Sequence, residues 1–150
     1  MAAQCCHPPI LPPLRRLGNR RTRLRVGGIR AKIVSSSSGL SKGRSRIVIR
    51  ILIVDDHVVV RQGLRIFLGL DPDLEIVAEA ADGAEAVELA RKHRPDVVLM
   101  DLLMPVMSGV EATATIRREL PDTEVLALTS VIEDTAVVEA LRAGAIGYLL

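Results

Sequence analysis

The chain has 150 residues, of which 49% are hydrophobic, and its only aromatic residues are Phe67 and Tyr148. This length allows one domain with a modest core, and the aliphatic composition is typical of a parallel β-sheet covered by helices. The only cysteines, Cys5 and Cys6, are adjacent and cannot link distant parts of a fold, and no apolar stretch is long enough for a transmembrane helix. The composition thus gives no support for a disulfide-rich scaffold, and we expect a cytoplasmic protein with no membrane partner.

Charge divides the chain into two parts. Residues 1–54 contain twelve Lys or Arg and no acid, whereas residues 55–150 contain eighteen acids and eight bases, a balance of −10. Residues 1–46 also contain four prolines and the serine run 35–38, so we expect a disordered basic leader. Three interpretations of this leader compete: an organellar transit peptide, a basic arm for nucleic acid or acidic surfaces, and sequence upstream of a wrongly chosen start. We favour the last, because the leader has neither an amphipathic pattern nor interleaved aromatic residues.

From residue 47 onward, the pattern alternates between strands and helices. Apolar runs predict five strands, Ile47–Val54, Leu74–Ala80, Asp96–Met100, Glu124–Leu128 and Ile146–Leu150. Apolar residues at helical spacing lie between the strands, for example Val60, Leu64, Phe67 and Leu68 before the second strand. Helix starts are predicted at Asp82 and at Ser108, each with a glutamate three residues later, and Gly144 is placed to end the fourth helix. Residues 47–150 are therefore predicted to form an α/β domain with a parallel sheet and right-handed crossovers, and we expect a final helix to be missing.

Acidic residues stand where two of these strands end. Asp101 closes the run Val97–Met100, Asp55 and Asp56 follow the first strand, and Thr129 follows the fourth. The carboxyl ends of parallel strands meet at one edge of a sheet, where such folds bind ligands. Three neighbouring carboxylates repel each other, and a hard cation with oxygen ligands, such as Mg²⁺, relieves that repulsion. Asp101 is accordingly predicted to be a nucleophile that forms an acyl phosphate, and Thr129 a hydroxyl donor to the phosphoryl group.

Four segments of the chain resemble a known family. Residues 53–64, which include Asp55-Asp56-His57, are similar to the opening of a response-regulator receiver domain. Residues 101–109 resemble its phosphoacceptor segment, residues 128–130 its switch loop, and residues 143–150 its fifth strand. The Asp-Asp-His start and the Gly-Tyr-Leu-Leu ending resemble the NarL/LuxR-type subfamily in particular.

The resemblance implies a flavodoxin-like fold, a doubly wound five-stranded parallel sheet of order 2-1-3-4-5. It implies that a sensor histidine kinase phosphorylates Asp101. Mg²⁺ would be held by Asp56, Asp101 and the main-chain carbonyl of Leu103, with Asp55 acting through water. Thr129 and Tyr148 would form the switch pair, and the protein would be a signalling switch rather than an enzyme, beyond its own phosphorylation and dephosphorylation.

The resemblance also bears on partners. It implies a homodimer on phosphorylation, and in the family a lysine follows the Gly-Tyr-Leu-Leu run, then a fifth helix and a DNA-binding helix-turn-helix domain. Because the sequence stops at Leu150, we interpret residues 47–150 as a C-terminally incomplete receiver from a transcriptional regulator, which contacts DNA only through that further domain.

Two alternatives are weighed against this interpretation. A phosphohydrolase of the haloacid-dehalogenase type needs a second acid two residues after the nucleophile, and that position is Leu103. Nucleic-acid binding through the basic leader is the other, although the leader has no aromatic residue on which bases could stack. His57 is interpreted as a residue that opens a helix rather than as a metal ligand.

Overall fold

A computed structural model describes residues 23–26, 29–34, 46–129 and 135–150 of the chain. The strands are β1 (Arg23–Val26), β2 (Ile29–Val34), β3 (Arg46–Val54), β4 (Leu74–Ala80), β5 (Val97–Asp101), β6 (Glu124–Leu128) and β7 (Gly147–Leu149). The helices are α1 (Val58–Leu68), α2 (Gly83–His93), α3 (Gly109–Glu119) and α4 (Thr135–Arg142).

Five of the strands form a parallel sheet in the spatial order β4-β3-β5-β6-β7. Numbered along the predicted domain, this is the order 2-1-3-4-5, so the expected flavodoxin-like topology is confirmed. The observed bounds of these strands agree with the predicted ones to within one residue at each end. Central strands buried on both faces are continuously apolar, and this is why their positions could be found from the sequence.

The two remaining strands lie in the basic leader. β1 and β2 pair antiparallel, and β2 continues this pairing onto the first residues of β3, with Lys32 opposite Val48. The structure thus differs from the expected disorder at residues 23–26 and 29–34. Composition favoured disorder, but these residues alternate between basic and aliphatic types, which is the period-two pattern of a strand. The rest of the leader lies outside the described residues, so its interpretation stays a prediction.

The core has a layer on each face of the sheet. Successive residues of β3 point to opposite faces, and so Leu52 and Val54 join the cluster under α2 and α3, whereas Ile51 and Ile53 join the one under α1. All four are buried. A third cluster, under α4, is made by Leu102, Ala127, Ala140 and Ala145.

Helix α1 buries a narrower face than the sequence predicts. Leu64 and Leu68, one turn apart, pack against the sheet, but Phe67 is 71% exposed. Since α1 packs on β3 and β4, its opposite side turns away from the sheet and carries Phe67 there. Helical spacing alone does not fix how wide the covered stripe is.

The predicted helix ends are confirmed. Ser108 caps α3 in a capping box with Glu111, and Asp82 caps α2 by accepting hydrogen bonds from the amides of Ala84 and Glu85. Gly144, just after α4, has a φ of 107°. The caps matter for the site because they fix the amino ends of α2 and α3 next to the loop that follows β5.

Candidate metal and phosphoacceptor site

The structure brings the predicted acidic residues together at the carboxyl edge of the sheet. In the pairing of β3 with β5, Val54 lies beside Met100, so Asp55 and Asp56 emerge next to Asp101. One carboxylate oxygen from each acid and one ring nitrogen of His57 all lie within 4.8 Å of one another. Four ligating atoms therefore surround a space that a single cation could share.

Asp55 is the most firmly held member of the cluster. Its side chain is only 7% exposed, and its Oδ1 accepts a hydrogen bond from the main-chain amide of His57 at 2.8 Å. Its main-chain carbonyl accepts a second hydrogen bond, from Arg61 Nη1 at 2.6 Å. Arg61 belongs to α1, so the helix holds this loop in place.

Asp56 supplies the observation that tests whether a cation fits. Its Oδ1 is buried and accepts no hydrogen bond in the described part of the chain. It lies 2.6 Å from His57 Nδ1, a contact that is attractive only when that ring nitrogen carries a proton. A buried carboxylate oxygen among further carboxylates gains most from a hard divalent ion, so the donor set fits Mg²⁺.

The environment of Asp101 also favours a bound cation. Burial raises the pKa of this carboxyl, and the charges of Asp55 and Asp56 raise it further, whereas hydrogen bonds from the main-chain amides of Leu103 and Leu102 lower it. The Leu103 amide is 3.1 Å from Asp101 Oδ1. The pKa of Asp101 remains raised on balance, because the carboxyl is partly buried beside two other acids. The expected role of the Leu103 carbonyl as a ligand stays a prediction.

Two glycines allow the loop after Asp101 to pack tightly. A Cβ atom on Gly109 would lie 1.9 Å from the main-chain oxygen of Asp101, and one on Gly83 would lie 2.6 Å from that of Met107. The amide of Gly83 also donates a hydrogen bond to the same Met107 oxygen at 3.3 Å. Close backbone approach thus explains both glycines.

The same loop contains a strained residue. Val106 has a φ of 67°, in the left-handed region that β-branched residues avoid, and its side chain is 88% exposed. The amide of Met107 donates to the carbonyl of Pro105 at 2.8 Å, which closes a three-residue turn around Val106.

Thr129 and Tyr148 take different positions. A cavity of about 530 Å³ opens beside the carboxylates and is lined by Asp55, His57, Val60, Leu64, Asp101, Leu128, Thr129, Leu149 and Leu150. Thr129 lines this cavity and donates its amide hydrogen to the carbonyl of Leu149 at 3.0 Å. Tyr148 pairs with Ala127 and is half-exposed, outside the cavity lining. A second cavity, of about 250 Å³, lies among residues 94–96 and 120–123 at the other end of the strands and contains none of the predicted site residues.

Comparison with known proteins decides the family. Residues 51–150 match the response regulator receiver domain. The chain belongs to the response regulator receiver family. It is 52% identical over 103 residues to the transcriptional regulatory protein LiaR of Bacillus subtilis, across 69% of this chain and 49% of LiaR. It is 49% identical over 104 residues to the response regulator protein VraR of Staphylococcus aureus, across 69% of this chain and 50% of VraR.

Solved structures agree with this assignment. The signal receiver domain of the putative response regulator NarL from Mycobacterium tuberculosis superposes with a TM-score of 0.65 at 41% identity, covering 69% of this chain and 83% of that one. The response regulator domain of Thermotoga maritima CheB superposes with a TM-score of 0.63 at 40% identity, covering 68% of this chain and 77% of that one. The predicted NarL/LuxR-type receiver is therefore confirmed, and neither the phosphohydrolase nor the nucleic-acid alternative is favoured. This receiver spans about half the length of the curated relatives it matches.

Sequence reasoning did not identify two residues of the site. Arg61 and His57 both contact the acidic loop, and both lie within the motif that resembles the opening of a receiver. The predicted place of His57 at the start of a helix is confirmed, since it directly precedes α1, but its contact with Asp56 was not predicted. In the described ranges, no helix is long and apolar enough to cross a membrane.

Proposed function

We propose that this receiver takes a phosphoryl group onto Asp101 from the phosphohistidine of a sensor histidine kinase. The main support for this proposal is that Asp55, Asp56 and Asp101 lie close together at the ends of β3 and β5. In this proposal Asp56, Asp101 and the carbonyl of Leu103 ligate Mg²⁺, and Asp55 acts through water.

The burial of the three carboxylates favours Asp101 as the acceptor. Asp55 is buried, which restricts the access of an incoming group to its side chain. Asp101 is partly exposed and lines the 530 Å³ cavity together with Thr129. A phosphoryl group entering from that cavity would meet Asp101 and the Thr129 hydroxyl.

The transfer is a displacement at phosphorus. A carboxylate oxygen of Asp101 forms the new O–P bond, and the N–P bond of the kinase phosphohistidine breaks, its electron pair returning to the ring nitrogen. Mg²⁺, when bound, neutralises charge on the carboxylates and on the phosphoryl oxygens. The Leu103 amide, which already donates to Asp101 Oδ1, helps to orient the carboxylate. The site supplies no separate substrate chemistry, so we regard this receiver as a switch and not an enzyme.

The response would pass through β6 and β7. Thr129 is bonded through its amide to Leu149, and Tyr148 is the neighbouring residue of β7. Movement of the Thr129 hydroxyl toward the phosphoryl group would therefore disturb the strand that carries Tyr148, which is a small shift acting on a two-state element. We further propose homodimer formation on phosphorylation, output through a DNA-binding domain as in a transcriptional regulator, and a cytoplasmic location.

Acetyl phosphate labelling tests the assignment. The full chain, incubated with acetyl phosphate and Mg²⁺, should gain one acid-stable, base-labile phosphoryl group, and Asp101→Asn should gain none. Asp122→Asn, which alters an exposed aspartate at the other end of the strands, is the matched control and should label normally. Equal labelling of Asp101→Asn and the unaltered chain would refute Asp101 as the acceptor.

A Mg²⁺ titration tests the ligand roles. Asp56→Ala should weaken binding more than Asp55→Ala does, because the first change removes a direct ligand and the second a water-mediated one. The reverse order would exchange the two roles.

A further inference from the structure

His57 directly precedes α1 at the N-cap position, but its side chain does not cap the helix. Its backbone is extended, with φ −87° and ψ 110°, and its side chain makes no capping hydrogen bond. The side chain is 70% exposed, so packing does not fix the ring either. The direction of the ring therefore needs another explanation, and the acidic cluster provides one.

The ring nitrogen faces the carboxylates. His57 Nδ1 lies 2.6 Å from Asp56 Oδ1 and 3.2 Å from Asp55 Oδ1, and one ring nitrogen of His57 is within 4.8 Å of a carboxylate oxygen of Asp101. Two ligands bound at about 2.1 Å on opposite sides of one ion are about 4.2 Å apart. The four donor atoms lie close to this spacing, and an ion bound among them would separate Nδ1 from Asp56 Oδ1.

We propose that His57 Nδ1 is a further ligand of the metal site, and that it lets this receiver bind transition ions of the Ni²⁺ and Co²⁺ type more tightly than Mg²⁺. The inference rests on the metal site of the proposed function. Neutral imidazole is a good ligand for Ni²⁺, Co²⁺ and Zn²⁺, whereas Mg²⁺ gains little from nitrogen. Three carboxylates alone make a hard site, and one imidazole makes it a mixed nitrogen–oxygen site.

The competing explanation is a hydrogen bond from the ring to Asp56. Both explanations place Nδ1 near Asp56 Oδ1, but they differ once an ion is present. If His57 is a ligand, its Nδ1 must move away from Asp56 Oδ1 and bind the metal, and spectroscopy can then detect the metal–nitrogen bond. A hydrogen-bond donor would leave the metal with oxygen ligands only.

The experiment uses the full chain, with Cys5, Cys6 and His7 changed to Ser, Ser and Asn so that they cannot bind the probe ions. Calorimetric titration with Ni²⁺ and with Mg²⁺ compares this background with His57→Asn and with the control His93→Asn, a histidine at the end of α2. We expect His57→Asn to weaken Ni²⁺ binding at least about tenfold and Mg²⁺ binding by less than about threefold. His93→Asn should change neither. Loss of both ions on Asp56→Ala shows that the titrated site is this one.

Pulsed electron paramagnetic resonance of the Mn²⁺-loaded chain gives the second readout. A nitrogen coupling that disappears in His57→Asn supports direct ligation. An Mn²⁺ spectrum without nitrogen coupling, or equal losses of Ni²⁺ and Mg²⁺ affinity in His57→Asn, overturns the inference. Acetyl phosphate labelling of the same background reports separately on Asp101, so failure of the phosphoacceptor proposal can be told apart from failure of this one.

Discussion

Arg61 Nη1 donates a hydrogen bond to the main-chain carbonyl of Asp55 over 2.6 Å, and thereby ties α1 to the acidic loop. Groups that orient metal ligands in this way affect metal affinity strongly, commonly about 10- to 100-fold. We therefore expect Arg61→Met to weaken Mg²⁺ binding at least about tenfold, measured by calorimetry. Arg65→Met is the matched control, because both arginines approach Glu79 but only Arg61 is shown bonding to Asp55. Equal effects of the two substitutions would assign the role to Glu79 pairing instead.

Alanine substitutions at Gly109 and at Gly63 should change the free energy of unfolding in opposite directions. A methyl group on Gly109 would overlap the Asp101 carbonyl, so Gly109→Ala should lower the free energy of unfolding by about 2–3 kcal/mol or more. Gly63 lies within α1, and in the described part of the chain no atom beyond its own helix backbone lies within 4 Å of the position that an alanine methyl group would take there, so Gly63→Ala should raise the free energy of unfolding by about 0.5–1 kcal/mol. Urea denaturation of both variants measures the difference. A Gly109→Ala chain as stable as the unaltered one would mean that the loop packs less tightly than described.

Val106 offers a stabilising substitution. Its positive φ disfavours a β-branched side chain by about 1 kcal/mol, and its exposure means that little burial is lost on replacement. Because asparagine tolerates the left-handed region, Val106→Asn should raise the midpoint of urea unfolding. Val59→Asn, at an exposed position in the first turn of α1, should leave the midpoint nearly unchanged, because the two residues have similar helix propensities. A midpoint that Val106→Asn leaves unchanged or lowers would show that the strain assigned to Val106 is absent.

The raised pKa of Asp101 predicts a pH-dependent stability. Between the ordinary pKa of aspartate, about 3.9, and the raised folded value, the folded chain binds more protons than the unfolded chain, so stability falls as pH rises. Without metal, Asp101→Asn lacks this penalty and should be the more stable chain at neutral pH. The advantage should vanish below about pH 3.9. Urea unfolding in EDTA across this range measures it, and a constant difference at every pH would contradict the assignment.

Added Mg²⁺ should make the unaltered chain more stable than Asp101→Asn at neutral pH. A ligand that binds only the folded chain at about tenfold its Kd stabilises it by about 1.4 kcal/mol. Asp101→Asn has lost one of the proposed Mg²⁺ ligands, so Mg²⁺ should stabilise this variant less than the unaltered chain. Repeating the unfolding experiment at neutral pH with added Mg²⁺, and with metal-free buffer as the reference, checks this. Equal stabilisation of both chains would place the ion away from Asp101.

Features with a local signature could be predicted from the sequence. The strands were found because a buried parallel strand is a continuous apolar run, and the caps at Asp82 and Ser108 because capping needs a fixed spacing. The meeting of Asp55, Asp56 and Asp101 followed from topology, since parallel strands end at one edge.

Features that depend on contacts across the fold could not be predicted in this way. The Arg61 bond to the Asp55 carbonyl depends on how α1 is oriented on the sheet, and the same orientation exposes Phe67. The β1–β2 pairing was hidden by a composition typical of disorder, although its alternation was readable. The ring direction of His57 is a rotamer choice that no spacing specifies.

The contact between Gly109 and the Asp101 carbonyl allows α3 to transmit a movement of the Asp101 main chain along its length. There is no room between them for even a methyl group, so a movement of the Asp101 main chain toward α3 would displace the first turn of the helix. Eleven residues at about 1.5 Å each make this arm about 16 Å long, and a tilt of about 5° at Asp101 would displace its far end by about 1.4 Å. Near that end Arg117 pairs with Glu124, the first residue of β6, and lies beside Gly144, so a movement of the Asp101 main chain would reach these contacts at the far end of α3.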